Sequence, residues 1–157
     1  MPMSGQINHG LHARLVDSLY TEAMVMADEA RAYFALQGEG ERFDMPMLAR
    51  IAFSCESLKV TTRLMHVIAW LMAQRAWRRG EISDEVMRDG RHCLGEAAAT
   101  DAAVMTDFPV AARALVDGSA DLYDRVARLE ALMEEETDTP VGIGPARALL
   151  ERLESVF

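Results

Sequence analysis

Beyond residue 12 the chain has four residues that bind transition metals readily: Cys55, His66, His92 and Cys93. Metal sites need such ligands at short, regular spacings or converging from facing helices. No Cys-x-x-Cys, His-x-x-x-His or Glu-x-x-His spacing occurs, and the adjacent His92 and Cys93 are poorly placed to point at one ion. Ser54 and Cys55 fall in the middle of a long helical pattern, where a nucleophile is seldom presented well. No Gly-x-Ser-x-Gly or Cys–His signature accompanies them. Gly38-Glu39-Gly40 and Gly142-Ile143-Gly144 lack the strand-to-helix context of a phosphate loop and read as turns. The residue types argue against an enzyme, and no metal or cofactor is expected.

A second set of residues points to binding. Lys59, Arg63, His66, Trp70, Gln74 and Trp77 recur at helical spacing between two apolar faces. Arg and Trp are enriched where proteins meet proteins, so this line is the candidate protein-binding surface. The competing reading puts Trp70 and Trp77 in the core, with the stems of Lys59 and Arg63 laid over apolar surface. For Trp70 the core reading is favoured.

The element that must position these side chains runs from Pro46 to Gly80, with no proline or glycine between. A helix of that length is about 50 Å long, well above the usual globular helix. One apolar face holds Ile51, Cys55, Leu58, Thr62, Met65, Ala69, Met72 and Ala76. A second holds Phe53, Val60, Leu64, Val67 and Leu71. A helix apolar on more than one side must be covered on more than one side. The second face, as Val60, Leu64, Val67 and Leu71, is the candidate dimer interface. Asp44 and Pro46 open this helix and Gly80 ends it, with Arg75, Arg78 and Arg79 near its negative end.

Two other long helices are predicted. Leu11, Leu15, Leu19, Met26, Ala30 and Tyr33 define the first, over 11–36, with Gly38 as its left-handed cap. Pro109 opens the third, in which Leu115, Leu122, Val126, Leu129 and Met133 form a heptad-like seam. Gly118-Ser119 is a place for a bend. Residues 81–107 read as a loose connection containing a short helix capped at Ser83. Residues 1–10 read as a flexible tail, 11–136 as the bundle domain, and 137–157 as a Pro/Gly linker with an amphipathic helix at Ala146–Phe157. Met24, Met65 and Met72 read as core filler.

Composition supports the same class. Half of the 157 residues are apolar but only ten are aromatic, a mixture favouring helix over sheet. The net charge of −9 divides into −4 over residues 1–41, +3 over 42–91 and −8 over 92–157. So acidic a chain is a poor general DNA binder, because duplex affinity rests on neutralised phosphates. The basic centre suits an acidic protein partner. The first ten residues hold no apolar signal core, and charged and polar residues interrupt the apolar stretch 60–73. Two reduced cysteines, a cytoplasmic location and no membrane association are therefore expected.

The block SLKVTTRLMHVIAWLMAQRAWRRGEIS resembles the signature region of the alphaproteobacterial regulator-of-CtrA-degradation family. LYTEAMVMADEARAYFALQGEGER looks like that family's first helix and FPVAARALVDGSADLYDRVARLEALM its third. The resemblance covers residues 15–133. It implies an all-helical, dimeric, non-enzymatic adaptor that helps deliver cell-cycle regulators to the ClpXP protease, together with other adaptor proteins. The end of the chain departs from the family, since its GPARALLERLESVF stretch reads as a helix where the family has a flexible tail.

The expected protein is thus an all-α three-helix bundle, a homodimer with protease, adaptor and cargo partners. Two other classes compete: a nucleic-acid-associated regulator using residues 42–91, and a helical bundle enclosing a ligand.

Overall fold

The computed structural model describes residues 3–138, and of residues 3–8, 38 and 39 the backbone alone. Most of the expected linker and the amphipathic helix at Ala146–Phe157 lie outside the described residues. Within them the chain is all-α, with helices α1 (Met3–Ala32), α2 (Gly38–Phe43), α3 (Met47–Arg78), α4 (Asp84–Arg88) and α5 (Val110–Asp138). No described helix is long and apolar enough to cross a membrane. Residues up to Ala127 form one compact unit. From Arg128 the chain belongs to a second unit, whose described part is helical and in which the Thr137 hydroxyl donates to the Met133 carbonyl.

Helix α1 takes in residues 3–10, the span expected as a flexible tail. Adding residues to an existing helix costs far less than nucleating one, which lets a polar stretch join it. The core face of α1 also differs from the expected one. Val16, Leu19, Ala23, Ala30 and Tyr33 are buried, whereas Leu11 and Leu15 are exposed. Gly38 does not end the helix in a left-handed conformation. The chain instead passes through a π-helical turn at Tyr33–Gln37 into α2. The side chain of Tyr33 is buried, and its hydroxyl donates to the Glu41 carboxylate at 2.5 Å. Burial, then this hydrogen bond, raises the Tyr33 pKa well above its usual value.

Pro46 itself is the N-cap of α3, and its carbonyl accepts from the Arg50 amide. At the other end Gly80 takes φ 76°, so that its amide reaches Trp77 O and the Glu81 amide reaches Ala76 O. That pair of bonds is a Schellman cap, for which glycine is the favoured residue. Ser83 caps α4 by accepting from the Val86 amide, as its position in the sequence suggests.

The core lies where α1, α3 and α5 meet. Val60, Leu64, Val67 and Leu71 of α3 are all buried within this one chain. They are covered within the one chain and so cannot be the dimer interface as the sequence suggests. Ala112, Val116, Leu122 and Val126 bring the α5 side of the core. Each fully buried aliphatic contributes about 1.5–3 kcal/mol. Tyr33, Phe34, Phe53 and Phe108 cluster in three edge-to-face pairs with centroids 5.2–5.5 Å apart and one tilted pair, Tyr33–Phe53, at 6.4 Å.

Polar contacts set the helix pairing. Asp17 on α1 meets Arg75 and Arg78 on α3, and Arg75 also lies over the Tyr20 ring at 4.3 Å. Arg125 on α5 makes a two-pronged pair with Glu22 on α1. Gly118 and Ser119 serve packing between helices. A Cβ at Gly118 would lie 3.4 Å from Met26 Cε, and the fully buried Ser119 hydroxyl donates to Val116 O.

Candidate protein-docking surface

The line read as a binding surface in the sequence is used inside the chain. Arg63 and Trp70 are almost completely buried and Gln74 is buried. Arg63 donates to Ala98 O at 2.9 Å and to the Thr100 hydroxyl at 2.7 Å, and lies 3.4 Å from the Ser119 hydroxyl. Thr100 donates in turn to Glu56 at 2.5 Å. Lys59 bridges Glu56 and Ala99 O at 2.8 and 3.1 Å. Gly95 lies across the His66 ring, and the Tyr123 hydroxyl of α5 donates to Gly95 O at 2.7 Å. Trp77 is half-buried and donates from its indole to Asp84.

Residues 94–101, expected to be loose, are therefore strapped along α3 at several points. A segment without helix or strand leaves its carbonyls unpaired, and they must find donors elsewhere. Lys59, Arg63 and Tyr123 are those donors. This is why the polar line of α3 faces inward rather than toward a partner. The roles of Glu56, Gly95, Thr100 and Ser119 as partners of this line were not read from the sequence. The available signal was the Glu56–Lys59–Arg63 run, opposite charges at helical spacing between two apolar faces.

The face of α3 left open is the first apolar face. Ile51, Leu58, Met65 and Met72 are 56, 68, 64 and 54% exposed, with Cys55, Thr62 and Ala69 exposed between them. Met65 and Met72 are thus surface residues rather than core filler, as is Met24 on α1. The steps along this stripe alternate 4, 3, 4, 3, 4 and 3 from Ile51 to Met72, the pattern of a helix seam. A contiguous apolar strip of this kind marks an interaction site on a soluble protein.

At its N-terminal end the stripe widens into an open groove of about 600 Å³ between α2 and α3. Phe43, Met47, Ile51, Cys55 and Leu58 line it with apolar surface, and Arg42, Arg50 and Ser54 add polar groups. The Ser54 hydroxyl accepts from Arg42 at 2.5 Å and donates to Arg50 O. The Arg42 guanidinium is 6.0 Å from the centre of the Phe53 ring. Among the described residues no carboxylate pairs with Arg42 or Arg50. The surface offers apolar anchorage and two cationic groups.

Two of three comparisons place this architecture among known proteins. The family described as a protein of unknown function, DUF1465, matches residues 7–157. The crystal structure of RcdA from Caulobacter crescentus CB15 is similar with a TM-score of 0.63 and 30% sequence identity. That similarity covers 76% of this chain and 90% of RcdA. No curated protein matches the sequence. On the extent of both matches, the chain belongs to the DUF1465 family and is an RcdA-like helical protein.

Proposed function

We propose that this protein is a non-enzymatic adaptor that assists regulated proteolysis of cell-cycle regulators by the ClpXP protease. The observation that carries the reading is the likeness to RcdA over nine tenths of that protein's length. The exposed apolar stripe of α3 supports it, because an adaptor works through surfaces that hold other proteins. In this reading the protein acts in the cytoplasm, with protease, co-adaptors and cargo as its partners.

The adaptor is a homodimer in this proposal, and its contact is the exposed stripe rather than the Val60–Leu71 face. Small residues (Cys55, Thr62, Ala69 and Ala76) alternate along the stripe with large ones (Ile51, Leu58, Met65 and Met72). Against an antiparallel second copy, Leu58 meets Ala76, Thr62 meets Met72 and Met65 meets Ala69. Large side chains then fill the spaces over small ones, as tight helix packing requires.

The test is reconstituted degradation with purified ClpXP, candidate co-adaptors and cargo. The protein should bind cargo and accelerate its loss. Unchanged cargo lifetime together with no binding to protease, co-adaptor or cargo would overturn the proposal.

A further inference from the structure

We infer that the groove between α2 and the start of α3 is a docking site for a short, acidic, apolar-anchored peptide segment of a partner protein. The inference rests on the adaptor reading for the nature of the occupant and adds to it a place and a chemistry. Three observations carry it. Phe43, Met47 and Ile51 are 79, 68 and 56% exposed around one concavity. Its volume of about 600 Å³ is ample for a few anchoring side chains. Two arginines stand at the same groove with no carboxylate partner among the described residues.

The arginines decide between occupants. Most other described cationic groups packed between elements of this acidic chain have an anion: Arg75 and Arg78 share Asp17, Arg125 has Glu22, and Lys59 has Glu56. Arg42 and Arg50 do not, and Arg42 is held in place by Ser54. A pre-positioned guanidinium beside an apolar wall suits a carboxylate, which it binds through two parallel hydrogen bonds. A second copy offers less, because the antiparallel pairing proposed above ends before Phe43 and Met47. An anionic bilayer is disfavoured by the chain's net charge of −9 and by the concave form of the site.

The test is fluorescence anisotropy on the full chain with labelled synthetic peptides, each carrying Leu and Phe anchors flanked by Glu, Gln or Lys. The Glu peptide should bind about tenfold or more tighter than the Gln peptide, with affinity falling as salt rises. Arg50→Glu should abolish the preference for Glu, and Met47→Ser should weaken all three peptides. Arg50 donates no side-chain bond within the described fold, so circular dichroism should show Arg50→Glu to be folded. Equal affinity for Glu and Gln peptides, or no binding by any, overturns the inference. So does binding to phosphatidylglycerol vesicles in place of peptide, or a dimer that Met47→Ser splits. The titration uses no protease, so it can fail while the degradation assay succeeds, and the reverse.

Discussion

Thr100, in a segment with no regular secondary structure, donates its hydroxyl to the buried Glu56 carboxylate of α3 at 2.5 Å. The same oxygen accepts from Arg63, so one small side chain joins an acid and a base that are both buried. Thr100→Val keeps the shape and removes both bonds. It should cost about 1–3 kcal/mol, because Glu56 and Arg63 are each left short of a partner. Urea unfolding should register a lower midpoint at unchanged slope. A midpoint unmoved from wild type would mean that the strap does not depend on this clip.

Gly95 approaches α3 more closely than any side chain permits. A Cβ there would sit 2.7 Å from His66 Nδ1 and 2.8 Å from two ring carbons. Gly95→Ala must therefore displace either the strap or the imidazole, at about 1–3 kcal/mol. Amide exchange across residues 94–101 should accelerate in this variant. His66→Ala in the same background should restore part of the protection by clearing the space.

Leu64 and Met65 are neighbours in sequence with opposite roles. Leu64 is 3% exposed in the core, whereas Met65 stands on the open stripe. Leu64→Asp buries an unpaired charge and should unfold the chain, with loss of helical circular dichroism. Met65→Asp should leave the helical signal intact and shift sedimentation from dimer to monomer. A folded, dimeric Met65→Asp protein would remove the stripe as the subunit contact.

Tyr33 should ionise well above the usual range of a tyrosine. Its buried ring and its hydrogen bond to Glu41 hold the phenol protonated in the folded chain. An unfolded tyrosine loses its proton near pH 10. Above that value the unfolded state binds fewer protons than the folded one, so stability falls as pH rises. Below it the contribution is complete. The tyrosinate absorbance of Tyr33 should therefore appear only with alkaline unfolding, and Tyr33→Phe should remove that component.

Much of the bundle was legible from residue types alone. Pro46 and Gly80 delimit α3 through backbone geometry that any chain must obey, and Pro109 does the same for α5. The periodicity of α3 gave two apolar faces, and both exist. Which one faces inward was misread: Val60–Leu71 carries only Val and Leu at its seam positions and is buried, whereas the equally well spaced Ile51–Met72 stripe includes Thr62 and Ala69 and is exposed. The polar line was misassigned for a related reason. An Arg with helical spacing has one appearance in a sequence, whether it meets solvent, a partner or the carbonyls of its own chain.

The sequence by itself determined an all-helical chain, the limits of α3, the start of α5, and the absence of catalytic spacings, since these follow from local backbone preferences and residue chemistry. Tertiary structure alone decided that Glu56, Lys59 and Arg63 bind residues 98–100, some 35 to 44 positions later. It also buried Val60–Leu71 within the chain and left the Ile51–Met72 stripe and the residues of the Arg42–Arg50 groove exposed among the described residues. Those outcomes depend on how three helices and a strap share one core, a competition for burial that no single helix encodes.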